Sequence, residues 1–180
     1  MNHSLAQFPI EARPHARFDH AKRVAAIGIL GVSLSLASAT ASGLCLVCSC
    51  TITSTAISFG NYDPLSSTAL ASTGTLGFSC NFGVSLGGIN FTISLATGSS
   101  GAYATRTLKN GTNTLNYNLY TTVQDTTVWG DGTPNTATVS SSYPSTNAPP
   151  VNVTVYALIP ARQNIISGLY SDSITATVTF

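Results

Sequence analysis

The stretch Tyr-Ser-Asp-Ser-Ile-Thr-Ala-Thr-Val-Thr-Phe at residues 170–180 carries the pattern of a β-strand. Apolar residues alternate there with hydroxyl residues, and the apolar set is Ile174, Ala176, Val178 and Phe180. A period of two is typical of a strand that buries one face. The stretch therefore predicts a half-buried strand, with the sequence stopping at its last apolar residue.

The edge of this predicted strand is unprotected. No charge, proline or bulge signal follows Asp172, although natural edge strands are usually blunted by such features. A flat apolar edge can accept an extended segment of another chain by strand addition. The stretch therefore favours a function in assembly over one in catalysis.

The overall composition supports one folded, strand-rich domain. Charged residues make up 7% of the 180 residues, against about a quarter in average globular proteins. Because hydrophobic residues reach 43%, the composition is the reverse of that of disordered chains. Without a basic stripe to neutralise phosphates, we expect no nucleic-acid partner.

The first 41 residues resemble an export signal. Basic residues precede an apolar run at residues 24–36, and small residues at 37–41 fit a cleavage site. We therefore predict a cleaved signal peptide at 1–41 and a mature domain at 42–180. The stretch before the apolar run is longer than usual, so a true start downstream of Met1 is an open alternative. An uncleaved membrane anchor is the alternative interpretation.

Removal of this leader would leave little material for catalysis. All three histidines and Glu11 lie in it. The mature part keeps three cations against four carboxylates, a net charge of −1: Arg106, Lys109 and Arg162 against Asp63, Asp125, Asp131 and Asp172. Acid–base and metal chemistry usually need histidine or clustered carboxylates. We therefore expect no enzyme activity, no cofactor and no metal.

Two sets of charged residues could suggest a functional site. Asp125 and Asp131 flank Trp129, and paired carboxylates near an aromatic can mark a glycosidase. We interpret Asp131 with the glycine after it as a turn, and Trp129 as a core or rim aromatic. We interpret Arg106 and Lys109 as surface cations.

Alternating segments separated by turn residues predict a β-sandwich. The predicted strands are 51–59, 75–80, 89–95, 115–119, 151–155 and the final one, and a helical turn is suggested at 161–165. A closed immunoglobulin-type sandwich has seven strands. The count of about six agrees with a fold that lacks one strand.

Four cysteines remain after the predicted leader: Cys45, Cys48, Cys50 and Cys80. Disulfides are the expected state in an exported chain, and four thiols allow three pairings. Cys50 opens one predicted strand and Cys80 closes the next, which favours a bridge between them. Cys45 and Cys48 would then form a second pair, unless Cys48 and Cys80 exchange roles. Zinc binding and a lipid anchor at these cysteines are alternative interpretations.

Ordered motifs along the mature part resemble the spore coat protein U domain family. They include Phe59-Gly60-Asn61-Tyr62-Asp63-Pro64, Leu115-Asn116-Tyr117-Asn118-Leu119-Tyr120, Val128-Trp129-Gly130-Asp131-Gly132, Ile159-Pro160-Ala161-Arg162-Gln163 and Gly168-Leu169-Tyr170-Ser171-Asp172. Cys50 comes before the first of these motifs, and Cys80 lies between the first and the second. The family is similar to the subunits of archaic chaperone–usher pili. The resemblance covers essentially all of the mature part.

The resemblance implies an incomplete immunoglobulin-like Greek-key sandwich without its last strand. It also implies partners: a periplasmic chaperone that lends a strand, an outer-membrane usher, and neighbouring pilin or coat subunits. We expect Ile174, Ala176, Val178 and Phe180 to line the strand-acceptor groove. The expected role is a structural subunit of a pilus or of a spore or cell coat, exported through the periplasm and supporting adhesion or biofilm formation.

The segment before Cys50 is shorter than a shaft subunit needs. Only residues 42–49 precede it, and two cysteines interrupt them. Such a chain would accept a strand without donating a full one, which suits a terminal or minor subunit. The alternative function is a tip-like adhesin that binds a surface or glycan through loops such as residues 130–150.

Overall fold

A computed structural model describes residues 5–8, 10–14, 45–85, 88–144 and 148–180. The strands of these ranges are β1 (Leu5–Phe8), β2 (Ile10–Pro14), β3 (Cys45–Ser54), β4 (Ile57–Asn61), β5 (Leu70–Ser85), β6 (Ile89–Leu95), β7 (Arg106–Asn110), β8 (Asn113–Tyr120), β9 (Val139–Tyr143), β10 (Val151–Ile159), β11 (Tyr170–Ser171) and β12 (Ile174–Thr179). One 3-10 turn covers Gly98–Ser100. The predicted apolar run and cleavage site of the leader lie outside the described residues. Within the described ranges, no helix has the length and apolar character to cross a membrane.

The strands form two sheets that share one core. The larger has the order β3-β5-β10-β8-β7-β11-β1-β4, and the smaller has the order β2-β12-β6-β9. Phe78 of β5 and Phe91 of β6 bring the two inner faces together, with ring centroids 4.1 Å apart. Tyr143 of β9 packs edge-on against Phe78 from the same side. The predicted all-β sandwich is confirmed.

The strand order is that of an immunoglobulin-like sandwich. Strands β3-β5-β10-β8 follow the A-B-E-D order of one immunoglobulin sheet, and β6 and β12 take the C and F places of the other. The G place beside β12 is taken by β2, which lies upstream of all of these strands in sequence. It also runs parallel to β12, whereas antiparallel sandwich sheets place G antiparallel to F. The described strands therefore form an immunoglobulin-like sandwich in which β2 takes the G place.

The predicted strand at 51–59 is in fact two strands. β3 pairs with β5 up to Ser54, and β4 starts at Ile57 on the other side of the larger sheet. Thr55 holds the break, because its backbone N–H donates to the Thr75 carbonyl at 2.9 Å and its hydroxyl accepts from the Thr75 N–H at 2.8 Å. Gly74 permits the crossing: a Cβ there would lie 2.6 Å from the Ile57 side chain. The alternation of the sequence does not mark this break.

The predicted final strand is also divided. Its first part, β11, belongs to the larger sheet, and its second part, β12, belongs to the smaller one. Asp172 lies at the change of sheet, where its carboxylate accepts the Ser173 backbone N–H at 2.8 Å and the Ser99 N–H at 3.0 Å. The alternation predicted for the second part is confirmed, with Ile174, Ala176 and Val178 buried.

The helical turn predicted at 161–165 is absent. Arg162 has a left-handed φ of 58°, and Gln163 uses its side chain to bind a neighbouring strand. Its Oε1 accepts the Asn116 backbone N–H and its Nε2 donates to the Asn116 carbonyl, both at 2.8 Å. The amide therefore takes the place of a strand partner for β8 at Asn116.

The predicted disulfide between Cys50 and Cys80 is present. The two cysteines lie opposite each other in β3 and β5, with Cα atoms 4.0 Å apart. Along the same pair of strands, Cys45 lies opposite Ser85 and Cys48 opposite Phe82. A pairing of Cys45 with Cys48 stays a prediction.

Loss of this bridge is expected to lower the free energy of unfolding by roughly 3–4 kcal/mol, since it closes a loop with a sequence separation of 30. The test compares urea unfolding of the whole chain with that of a Cys50→Ser/Cys80→Ser variant. A Cys45→Ser/Cys48→Ser variant is the matched control, because it keeps the bridge. Equal midpoints for the two double variants would contradict the prediction.

Candidate strand-acceptor site

A slot between β4 and the β11–β12 pair is the candidate site. On one wall, β4 contributes Ile57 and Phe59, which are buried. On the other wall, β11 and β12 contribute the buried Tyr170 and the apolar face of the final strand. These strands do not pair with each other, because β1 lies between β4 and β11 and β2 lies beside β12. Strands β1 and β2 thus occupy the slot in the whole chain.

Three of the four predicted groove residues are buried. Ile174 and Ala176 are 0% exposed and Val178 is 1% exposed. Phe180 follows the end of β12 and is 44% exposed, with its ring centroid 6.0 Å from that of Phe78. The structure places the first three on β12 beside the slot and Phe180 directly after that strand. Their role in accepting a strand from another chain stays a prediction.

The buried carboxylate of Asp172 fixes the change of sheet between β11 and β12. Asp172 is 7% exposed, and it accepts a hydrogen bond from the Tyr117 hydroxyl at 2.7 Å in addition to its two backbone contacts. Burial raises the pKa of Tyr117 well above its ordinary value, and the adjacent carboxylate raises it further. The phenol therefore stays protonated and donates to Asp172 throughout the physiological pH range. This contact fastens the start of β12 to β8.

Arg106 is not the surface cation that the sequence suggested. It is 0% exposed, and its guanidinium donates to two backbone carbonyls and one amide. Nε and one Nη reach the Ala96 carbonyl at 3.1 and 2.9 Å, the same Nη reaches the Trp129 carbonyl at 2.7 Å, and the other Nη reaches Asn118 Oδ1 at 2.7 Å. The guanidinium also lies 5.3 Å from the centre of the Tyr103 ring.

Arg106 is buried because its guanidinium connects the two sheets. Burial lowers the pKa of the Arg106 guanidinium, while nearby Tyr117, Tyr103 and Asp172 act in the opposite direction. The residue starts β7 in the larger sheet, and the Ala96 carbonyl follows the last residue of β6 in the smaller sheet. Arg106 therefore joins the two sheets through hydrogen bonds. Lys109, on the same strand, is exposed as predicted.

Trp129 is a second contact between the sheets and confirms the interpretation as a core aromatic. It is 0% exposed, and its indole N–H donates to the Ile93 carbonyl of β6 at 3.0 Å. Its backbone N–H donates to the Leu119 carbonyl of β8 at 2.8 Å. The long connection between β8 and β9 is thus anchored in the core.

The motif around Tyr62 has a comparable role. The Tyr62 hydroxyl donates to the Pro160 carbonyl at 2.9 Å and accepts the Gln163 N–H at 2.8 Å. The ring is 2% exposed. This hydroxyl ties the segment after β4 to the segment after β10, so the end of one wall of the slot is fixed.

Asp125 and Asp131, the two carboxylates near Trp129, lie in two separate turns. Asp131 accepts the Thr133 backbone N–H at 3.0 Å and its hydroxyl at 2.7 Å, and these bonds lower the pKa of the carboxyl. Gly132 has a φ of 85°, a value that glycine adopts without strain. The turn predicted at Asp131 is confirmed. Asp125 lies in a different turn, where its own φ is 53°.

Sequence reasoning did not find Asn118 or the interior position of Arg106. Asn118 Oδ1 accepts a hydrogen bond from the Arg106 guanidinium, and Asn118 Nδ2 donates to the carbonyls of Tyr103 and Ala104. One signal was available: Arg106 takes part in the apolar alternation with Leu108, so both residues fall on the inner face of β7.

The family model described as the Spore Coat Protein U domain matches residues 35–177. Protein U of Myxococcus xanthus is 34% identical over 133 residues, which cover 69% of this chain and 71% of that protein. Among solved structures, a match is the crystal structure of the CsuC–CsuE chaperone–tip adhesion subunit pre-assembly complex from archaic chaperone–usher Csu pili of Acinetobacter baumannii. It has a TM-score of 0.42 and 19% identity, and it covers 74% of this chain and 40% of that chain. The chain thus spans less than half of the solved chain that it matches.

Proposed function

Since this chain belongs to the Spore Coat Protein U domain family, we propose that it is a non-enzymatic structural subunit of a bacterial pilus or of a spore or cell coat. Its sandwich is completed by a β-strand from another chain. Residues 1–41 are a signal peptide that is cleaved on export, and residues 42–180 are the assembled domain. No cofactor takes part.

One observation carries this proposal. The outer edge of β12 pairs only with β2 in the described part of the chain, and β2 lies within the proposed signal peptide. Cleavage after residue 41 would leave both β12 and β4 without partners on the slot side. Such an edge, lined with Ile174, Ala176 and Val178, would expose apolar surface and unpaired backbone groups. A strand from another chain would cover the apolar surface and pair with the free backbone groups at the same time.

The proposed partners follow from this chemistry. A periplasmic chaperone supplies the first strand, an outer-membrane usher passes the subunit outward, and a neighbouring subunit supplies the permanent strand. The subunit then resides at the cell surface, where the assembly supports adhesion or biofilm formation.

The test uses residues 42–180 expressed in the periplasm, alone and with a periplasmic chaperone of the archaic chaperone–usher class. We expect a soluble one-to-one complex with the chaperone, and aggregation of the subunit alone. An Ala176→Asp variant places a charge on the buried face of β12 and should abolish the complex. Thr179→Asp, on the same strand at an exposed position, is the matched control and should retain it. A monomeric 42–180 that unfolds cooperatively without any partner would sink the proposal.

The alternative proposal is a tip-like adhesin that uses the loops of residues 130–150. The exposed turn at 131–135, held rigid through Asp131 and anchored by buried Trp129, favours it. A Thr133→Ala/Pro134→Ala variant that assembles normally but loses adhesion would support this role, and unchanged adhesion would exclude this turn as the binding surface.

A further inference from the structure

We propose that an apolar surface at one end of the slot docks the folded domain of the neighbouring subunit whose strand fills the slot. The surface consists of Leu65, Ile166 and Leu169 and is termed here the apolar pole. This inference rests on the proposed function, because it gives the same partner a second contact. The slot binds the donated strand, and the apolar pole binds the domain to which that strand is attached.

The apolar pole brings three exposed apolar side chains to one end of the domain. Leu65 is 88% exposed, Ile166 is 57% exposed and Leu169 is 56% exposed. Val123 and Phe180 are also exposed, but they lie in the β8–β9 connection and after the end of β12. Single exposed apolar residues are ordinary, whereas several on one surface mark an interaction site.

The two connections that carry the apolar pole leave the larger sheet side by side. Leu65 lies between β4 and β5, and the other two residues of the apolar pole lie between β10 and β11. Leu70, the first residue of β5, stands opposite Ile159, the last residue of β10. The Tyr62 hydroxyl joins the first connection to the second by hydrogen bonds. The three apolar side chains therefore share one end of the sheet.

Hydrogen bonds hold the backbone of the apolar pole in place. The Leu65 N–H donates to Asp63 Oδ1 at 2.9 Å, and the Ser66 N–H donates to the Asp63 carbonyl at 3.2 Å. The Ile166 carbonyl accepts the Tyr170 hydroxyl at 3.2 Å. Because these contacts already order the backbone, a partner that buries the side chains loses less conformational entropy on binding.

The apolar pole is continuous with the slot. Tyr170, a residue of the slot wall, also lines a concavity of about 390 Å³ together with Ile166. Thr112 and Asn164 line the same concavity and bring hydroxyl and amide groups to it. A partner on this surface would bury apolar side chains and find hydrogen-bonding groups beside them, which is the usual arrangement of a protein interface.

The direction of the donated strand places its domain at the apolar pole. A strand in the G place of an immunoglobulin-like sheet runs antiparallel to F, and β12 has the F place here. β12 runs away from the apolar pole, from Ile174 to Thr179, so an antiparallel strand ends beside Ile174. The proposed donor gives a segment that precedes its own first sheet strand. Its folded domain therefore follows at the end of the slot where the apolar pole lies.

The test compares two ligands of residues 42–180, starting from the complex with the periplasmic chaperone. One ligand is a subunit of the same family that has about ten alternating residues ahead of its first sheet strand, comparable to a full strand length. The other ligand is a synthetic peptide of that segment alone. Both can fill the slot, but only the whole subunit can contact the apolar pole. We expect the whole subunit to dissociate at least about tenfold more slowly than the peptide.

A Leu65→Ser/Ile166→Ser/Leu169→Ser variant separates the two contacts. We expect the whole subunit to leave this triple variant at least about tenfold faster than it leaves the unaltered domain. The peptide should leave both at the same rate, which also shows that the triple variant is folded. Val123→Ser is the matched control, because it removes an exposed apolar side chain away from the apolar pole. It should release the whole subunit as the unaltered domain does.

The outcomes separate the two proposals. Equal release of the whole subunit from the triple variant and the unaltered domain would overturn the apolar pole, while binding of the peptide would leave the proposed function intact. Loss of the chaperone complex in the triple variant would also overturn it, since the surface would then serve the chaperone or the fold. If neither ligand enters the slot of the unaltered domain, both proposals are overturned.

Discussion

Replacing Arg106 by methionine is expected to lower the free energy of unfolding of the whole chain by about 3–5 kcal/mol. Methionine fills much of the volume but donates no hydrogen bond, so the carbonyls of Ala96 and Trp129 lose this donor. The Oδ1 of Asn118 keeps only the Leu119 backbone N–H. Each buried acceptor left without a partner costs about 1–3 kcal/mol. Urea unfolding followed by tryptophan fluorescence measures the change.

Lys109→Met is the matched control, because it removes a cation from the same strand at an exposed position. It should change the free energy of unfolding by no more than about 0.5 kcal/mol. Arg106→Lys keeps the charge but cannot reach all three acceptors from one planar group, so an intermediate loss is expected. If Arg106→Met and Lys109→Met were equally stable, the hydrogen-bonded role of the guanidinium would be refuted.

Truncating Trp129 to alanine is expected to cost about 3–5 kcal/mol, the range for removal of a fully buried large aromatic side chain. The change opens a cavity between the sheets and removes the donor to the Ile93 carbonyl. Trp129→Phe separates these two effects, because it keeps most of the ring volume but loses the N–H. It should cost less than the alanine variant.

Val123→Ala serves as the control for Trp129, since it truncates a residue that is 64% exposed in the same connection. Thermal unfolding followed by far-ultraviolet circular dichroism suits this series, because the indole is the only tryptophan of the chain. A loss no greater than that of Val123→Ala would show that Trp129 does not support the core.

Arg106 bears on the slot through Tyr117 and Asp172. The Tyr117 hydroxyl holds this carboxylate at the bend between β11 and β12, and Tyr117 stands opposite Arg106 in the β7–β8 ladder. The family motifs therefore supply contacts that orient β12. Most motif residues build the scaffold around the slot, while Phe59 and Tyr170 of the motifs lie in its walls beside the aliphatic residues of β12.

Local patterns predicted several elements correctly. Ile89–Leu95 has the predicted bounds, since strict alternation and flanking turn residues act within a few positions. The Cys50–Cys80 bridge followed from the positions of the two cysteines at neighbouring strand ends. The short strands β7 and β9 were missed, because β7 includes a charged residue on its inner face and β9 is mostly serine.

Long-range contacts decided what the patterns could not. The sequence alone predicts a surface cation at Arg106, because it shows the charge but not the three acceptors that converge on it from other parts of the chain. The breaks at Thr55 and Asp172 depend on hydrogen bonds to Thr75 and Ser99, which lie 20 and 73 positions away. The local alternation of apolar and polar residues does not reveal such distant partners.

By itself, the sequence determined an all-β chain whose last strand buries one face, because side-chain alternation and turn chemistry are local properties of the backbone. Only the tertiary structure decided which strand lies beside that edge. Pairing across a sheet depends on which backbone groups are left unsatisfied once all other strands have packed, and here the remaining place beside β12 is taken by residues 10–14.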